Sequence, residues 1–141
     1  MQVDIEWRGD VHFSGTSESG HQVLMDGPPE SGGKNRGSRP MELMLMGLGG
    51  CTAFDVVDIL RKGRQRIDDV QVALTAQRAD AVPAVFEAIN IHFVIVGAKV
   101  SHAKVERAIE LTAQKYCSAS IMLKQAGVEI SHTFEIKEPA S

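Results

Sequence analysis

Two side chains in this 141-residue chain can act as soft nucleophiles, the thiols of Cys51 and Cys117. A free thiol near pKa 8.5 is only a few per cent thiolate at neutral pH, so a reactive one needs its pKa lowered by about two units, or about 2.7 kcal/mol. One guanidinium about 4 Å away supplies roughly 4 kcal/mol at an effective dielectric of about 20, before desolvation is subtracted. Arg36 and Arg39, just ahead of the Cys51 segment, are the candidates by position, with Arg8 as an outsider. Glu42 precedes Cys51 by two and a half helical turns and so does not share its face. It reads either as a carboxylate at the positive end of a helix dipole or as support for an arginine. Two cysteines are too few for a disulfide framework, which leaves separate thiols or a working pair. Either one alone also reads as a small core residue.

Other chemistries find less to work with. His12, His21, His92, His102 and His132 show no paired spacing, and no C-x-x-C or H-x-x-x-H pattern occurs, so no metal and no cofactor is expected. Gly47-Leu48-Gly49-Gly50 lacks the following Gly-Lys-Ser/Thr of a phosphate loop. With 15 Lys plus Arg against 18 Asp plus Glu, the formal charge of −3 offers nucleic acid no basic surface. The acidic N-terminus has no signal-peptide core, and the uncharged run Leu43–Phe54 falls short of the ~18 residues of a membrane span. A cytoplasmic protein with no membrane partner is the expectation.

The elements that must position the thiols follow from periodicity. Val3, Ile5 and Trp7 alternate with charged residues as a half-buried strand, and turns at Gly9-Asp10 and Ser19-Gly20 lead into strands at 11–15 and 21–25. Residues 26–39, rich in Gly and Pro, read as a loop. Pro40 suits a first helical turn, and a helix over 40–62 follows. Its front half is apolar nearly all round and is expected to be buried; Asp55, Asp58, Arg61 and Lys62 make its second half amphipathic. Three glycines, Gly47, Gly49 and Gly50, suggest a close backbone approach. Met25, Met41, Met44, Met46 and Met122 read as core filling, and a Met-rich pocket would suit an apolar substrate.

Strands at 70–74 and 89–95 come next. A second long helix runs from an N-cap at Ser101 to a C-cap at Gly127, with Val105, Ile109, Thr112, Tyr116, Ala119 and Leu123 stepping along its buried face. A strand over 128–136 closes the order. Hydrophobic content of 43% is enough for one core, so one domain over 1–141 is expected. Segregated strands with two helices argue α+β and not a doubly wound sheet.

Arg39-Pro40-Met41-Glu42-Leu43 leading to Gly49-Gly50-Cys51, together with Lys115-Tyr116-Cys117-Ser118 on the second helix, resembles the OsmC/Ohr family of thiol peroxidases, in its YhfA-like subgroup. The eleven-residue step from Pro40 to Cys51 matches the family pattern. The resemblance implies antiparallel strands around two long central helices in an intertwined homodimer, with the two thiols facing each other. It further implies attack by a Cys51 thiolate on a small hydroperoxide, resolution of the sulfenic acid by Cys117, and recycling by an unknown dithiol reductant. Arg39 and Glu42 take the supporting places. The family's Glu stands directly after the Pro, where this chain has Met41, and a one-residue shift turns a helical side chain by about 100°. The family's second Cys is followed by Pro; here Ser118 follows, which is expected to remove a kink.

Two functions of different class compete on these residues. One is a thiol-dependent reductase of organic hydroperoxides. The other is a non-catalytic dimeric protein that keeps the fold and binds a small ligand in an apolar pocket.

Overall fold

The structure is a computed structural model describing residues 1–140. These form two compact units, Met1–Met46 and Gly47 onward. The expected order of strands is present, in two three-stranded sheets, and of the two expected long helices the first is continuous and the second is divided.

In the first unit β1 (Val3–Trp7), β2 (His12–Ser17) and β3 (Gln22–Asp26) form an antiparallel meander in the order β1-β2-β3. The first turn is carried by positive φ at Gly9 and Asp10. Unlike the half-buried strand that alternation implies, β1 is exposed along its whole length; Trp7 is 68% accessible. Alternation shows that a strand has an apolar face, and tertiary structure decides whether anything covers it.

The helix α1 (Pro40–Lys62) starts and ends where the sequence places it. Glu42 caps its start by accepting from the Arg39 backbone N–H at 2.7 Å, the acidic half of a capping box. Its front half is not buried as expected. Met44 and Met46 are half exposed, and only 28% of its most apolar 18-residue window is buried. By length and composition α1 is the one helix among the described residues apolar enough to cross a membrane. Met122, also read as core filling, is exposed too.

The second unit holds a continuous core. Along α1, Leu48, Thr52, Val56 and Leu60 recur every four residues and are all buried. Close approach explains one of the three glycines: a Cβ on Gly49 would stand 2.6 Å from Leu74 Cδ1, whereas Gly47 and Gly50 face open space. Strands β4 (Asp69–Arg78), β5 (Phe86–Val96) and β6 (Glu129–Lys137) follow in that order across the sheet. Ile89, Ile91, Phe93 and Ile95 point from β5 into the core, each fully buried side chain contributing about 1.5–3 kcal/mol relative to exposure. The β4–β5 pair is antiparallel, but β5–β6 is parallel, a departure from the all-antiparallel expectation. The helical crossover between β5 and β6 is long enough to return the chain in the same direction.

That crossover is not one helix. It divides into α2 (His102–Leu111), a π turn over Thr112–Tyr116, and α3 (Ser118–Gln125). Both predicted caps are present: Ser101 accepts from the Lys104 N–H, and Gly127 has φ +98°.

Candidate active site

Cys51 sits on the fourth turn of α1 on uninterrupted helical backbone, partly exposed. Cys117 is fully buried and lies at the break between the π turn and α3. The Cys117 N–H donates to Thr112 O, five residues back, at 2.8 Å, so one extra residue is inserted into the helical ladder. An extra residue turns everything after it by about 100°. Tyr116, expected on the buried face, is therefore half exposed, and Cys117 and Ser120 point inward in its place. The kink whose loss was expected from Ser118 is present after all, made by the π turn. Cys117 is extended (φ −77°, ψ 103°) and caps α3 with its own sulfur, which accepts from the Ser120 N–H at 3.4 Å.

This backbone brings the two thiols together. The Cys117 S–H donates to Cys51 Sγ across 3.3 Å, and both cysteines are free. Thr52, next to Cys51, donates its hydroxyl to Leu48 O at 2.9 Å and stands 3.3 Å from Cys117 Sγ. Burial pushes the Cys117 thiol up in pKa. The Thr52 hydroxyl, which can turn its one proton from Leu48 O to a thiolate, and the Ser120 N–H pull partly back, and Cys51 beside it adds a smaller upward push.

A third group joins the pair. A carboxylate oxygen of Asp55, one turn after Cys51, and the two sulfurs all lie within 4.8 Å of one another. This is the one cluster among the described residues whose donor atoms could converge on a metal ion. Two thiolates on one tetrahedral zinc stand about 3.8 Å apart, given Zn–S bonds of about 2.3 Å. The sulfurs here are already closer than that, on the way to the ~2.05 Å of a disulfide.

The arginine candidates belong to the first unit and hold contacts of their own there. Arg36 donates through Nε to Asp26 Oδ2 at 2.9 Å and reaches Asp10 at 3.3 Å. Asp26 also accepts from the Gly27, Lys34 and Arg36 N–H groups. The Arg36 side chain, with these N–H donors, holds its carboxyl well below the usual carboxylate range against the opposing effect of burial. Arg36 is thus an anchor of the 26–39 loop. Arg8 donates to Ser14 Oγ at 3.0 Å. Arg39 and Glu42 stand together at the start of α1, in the first unit, and Arg39 enters no ion pair among the described residues.

Thr52 and Asp55 were not singled out as site residues from the sequence. For Asp55 a signal existed, its i+4 step from Cys51 on the same helical face. Thr52 gave none, because its part depends on where the distant Cys117 lies.

Comparison with known proteins gives the chain its family. The family model described as OsmC-like protein matches residues 32–133. Protein YhfA of Escherichia coli K12 is 47% identical over 136 residues, covering 96% of this chain and 98% of its own. Among solved structures, a hypothetical protein from Aquifex aeolicus is 30% identical with a TM-score of 0.85, over 99% of this chain and 97% of that one. The organic hydroperoxide resistance protein OhrB of Bacillus subtilis shares the fold at a TM-score of 0.62 and 15% identity, over 95% and 96% of the two chains. With a family model spanning most of its length, a near-full-length relative at 47% identity and paired thiols on an α+β frame, the chain belongs to the OsmC-like family.

Proposed function

We propose that this protein is a thiol-dependent hydroperoxide reductase, acting on organic hydroperoxides through Cys51 and Cys117. The carrying observation is the 3.3 Å contact between two free cysteines of unequal exposure. Cys51, the more accessible, attacks the outer oxygen of the peroxide. An S–O bond forms, the O–O bond breaks, and the alcohol leaves with a proton. The sulfur of Cys51 is oxidised to a sulfenic acid as the peroxide is reduced. Cys117, buried behind it and with its S–H already directed at Cys51, then displaces the hydroxyl as water and closes a disulfide. A dithiol reductant opens it again. Reduced thiols of this kind belong in the cytoplasm.

Arg39 is the cation we assign to thiolate support, with Glu42 fixing the helix start beside it. The exposed apolar surface of α1, including Met44, Met46 and Phe54, fits a homodimer in which a second copy covers it. Light scattering should give the mass of two chains; a monomer at micromolar concentration would reject that assembly.

Thiol titration before and after one equivalent of cumene hydroperoxide tests the activity, with loss of two thiols per chain expected. Unchanged thiols would favour the ligand-binding alternative. That reading has a specific feature behind it, an open cleft of about 380 Å³ lined by Gly50, Ala53, Phe54 and Val57 beside the Cys51 turn.

A further inference from the structure

Asp55 is the one acidic side chain in the thiol cluster, and the scheme above gives it no part. Its Oδ2 is buried without a hydrogen-bond partner among the described residues. An unpaired buried carboxylate oxygen is costly, and holding a proton relieves the cost. Burial, and secondarily the charge of Asp58, raise the pKa of the Asp55 carboxyl, which makes its ionised form a stronger proton acceptor. The titratable groups around it are Cys51 and Cys117 at the cluster, with Asp58, Lys62 and Tyr116 on a shared cavity of about 450 Å³. Of these, Asp58 and Lys62 are already paired at 2.8 Å.

Closing the disulfide needs a proton moved twice. Cys117 is a neutral thiol whose pKa burial has raised, so it must lose its proton before it can attack. The hydroxyl leaving Cys51 must gain one. A single carboxyl group within 4.8 Å of both sulfurs is within reach of both transfers through one bridging water.

We propose that Asp55 is the proton shuttle of disulfide closure, taking the proton from Cys117 and delivering it to the group that leaves Cys51. The S–S bond forms, the S–O bond breaks, water departs, and Asp55 ends in the state in which it began. This rests on the sulfenic acid chemistry proposed above for its delivery half. Its acceptor half applies to any closure by Cys117.

Reaction with 5,5′-dithiobis(2-nitrobenzoate) separates the two ideas. One thionitrobenzoate is released as Cys51 forms a mixed disulfide, and a second as Cys117 closes on it; Cys117→Ser confirms the order by stopping at one. Because thionitrobenzoate leaves without needing a proton, the second release reads only the removal of the proton from Cys117. Asp55→Asn should slow that release at pH 7 by about a hundredfold, at the low end of the ~10²–10⁴ range of general acid–base catalysis. Its log rate should rise by one per pH unit, where the native protein levels off above the Asp55 pKa. Asp55→Glu should recover part of the rate and part of the plateau, and it serves as the test variant if Asp55→Asn does not fold. Second release within twofold of native with the same pH profile would overturn the proposal, and so would a slowing equal at every pH, which marks a merely structural role. Absence of a dimedone adduct in peroxide-treated Cys117→Ser protein would reject the reductase reading instead, while the thionitrobenzoate release from the native protein still decides the part played by Asp55.

Discussion

Cys51 and Cys117 reach one point in space on very different backbones. Cys51 rides a regular 23-residue helix and is partly exposed. Cys117 is held at a break, after a π turn and ahead of α3, fully buried, with Thr52 and Ser120 about its sulfur. The difference shows how one chemical group is given two jobs. A regular helix leaves one thiol open to an incoming molecule, and a local insertion turns the other inward against it.

Exchanging each thiol for a hydroxyl should give the widest separation between these two regions. Cys51→Ser is expected to abolish peroxide consumption. Cys117→Ser should still complete one turnover and stop at a sulfenic acid trapped by dimedone, seen by mass spectrometry. Equal behaviour of the two variants would contradict the division of labour. Cys117→Ser should also flatten the alkaline limb of stability. A thiol whose folded pKa is raised contributes stability that is present below its unfolded pKa and lost as pH climbs through the folded one. Urea midpoints from pH 7 to 10 measure this.

A smaller effect is expected from Thr52→Val, which keeps the side-chain shape and removes the hydroxyl beside Cys117 Sγ. Losing one hydrogen bond of about 1 kcal/mol should slow disulfide closure about fivefold. The closing rate should rise further with pH than in the native protein, because the pull on the Cys117 thiol toward lower pKa is gone. Unchanged closure would show that Ser120 alone tunes that sulfur.

Arg39→Met should be the mildest. A solvent-screened charge contributes about 1 kcal/mol or less, so iodoacetamide alkylation of Cys51 should slow about fivefold or less. If alkylation is unaffected while the fold stays intact, the charge that supports the thiolate lies elsewhere.

The limits of α1, the caps at Ser101 and Gly127, the β-meander and the strands β4 to β6 are all written in the sequence, because each depends on neighbours within a few positions. So is the identity of the two thiols. What the sequence did not determine is where the faces point. The stepping from Val105 to Leu123 suits one continuous helix, and only packing in the second unit selects the π turn that places Cys117, and not Tyr116, inside. Burial of β1 and of the front of α1 was inferred from their apolar residues, yet burial is a property of what lies opposite. Asp55 illustrates the same division: its i+4 step from Cys51 is local and legible, but its closeness to Cys117 comes from contact between segments 62 positions apart. Periodicity reports which residues share a face; only the tertiary structure decides which faces meet.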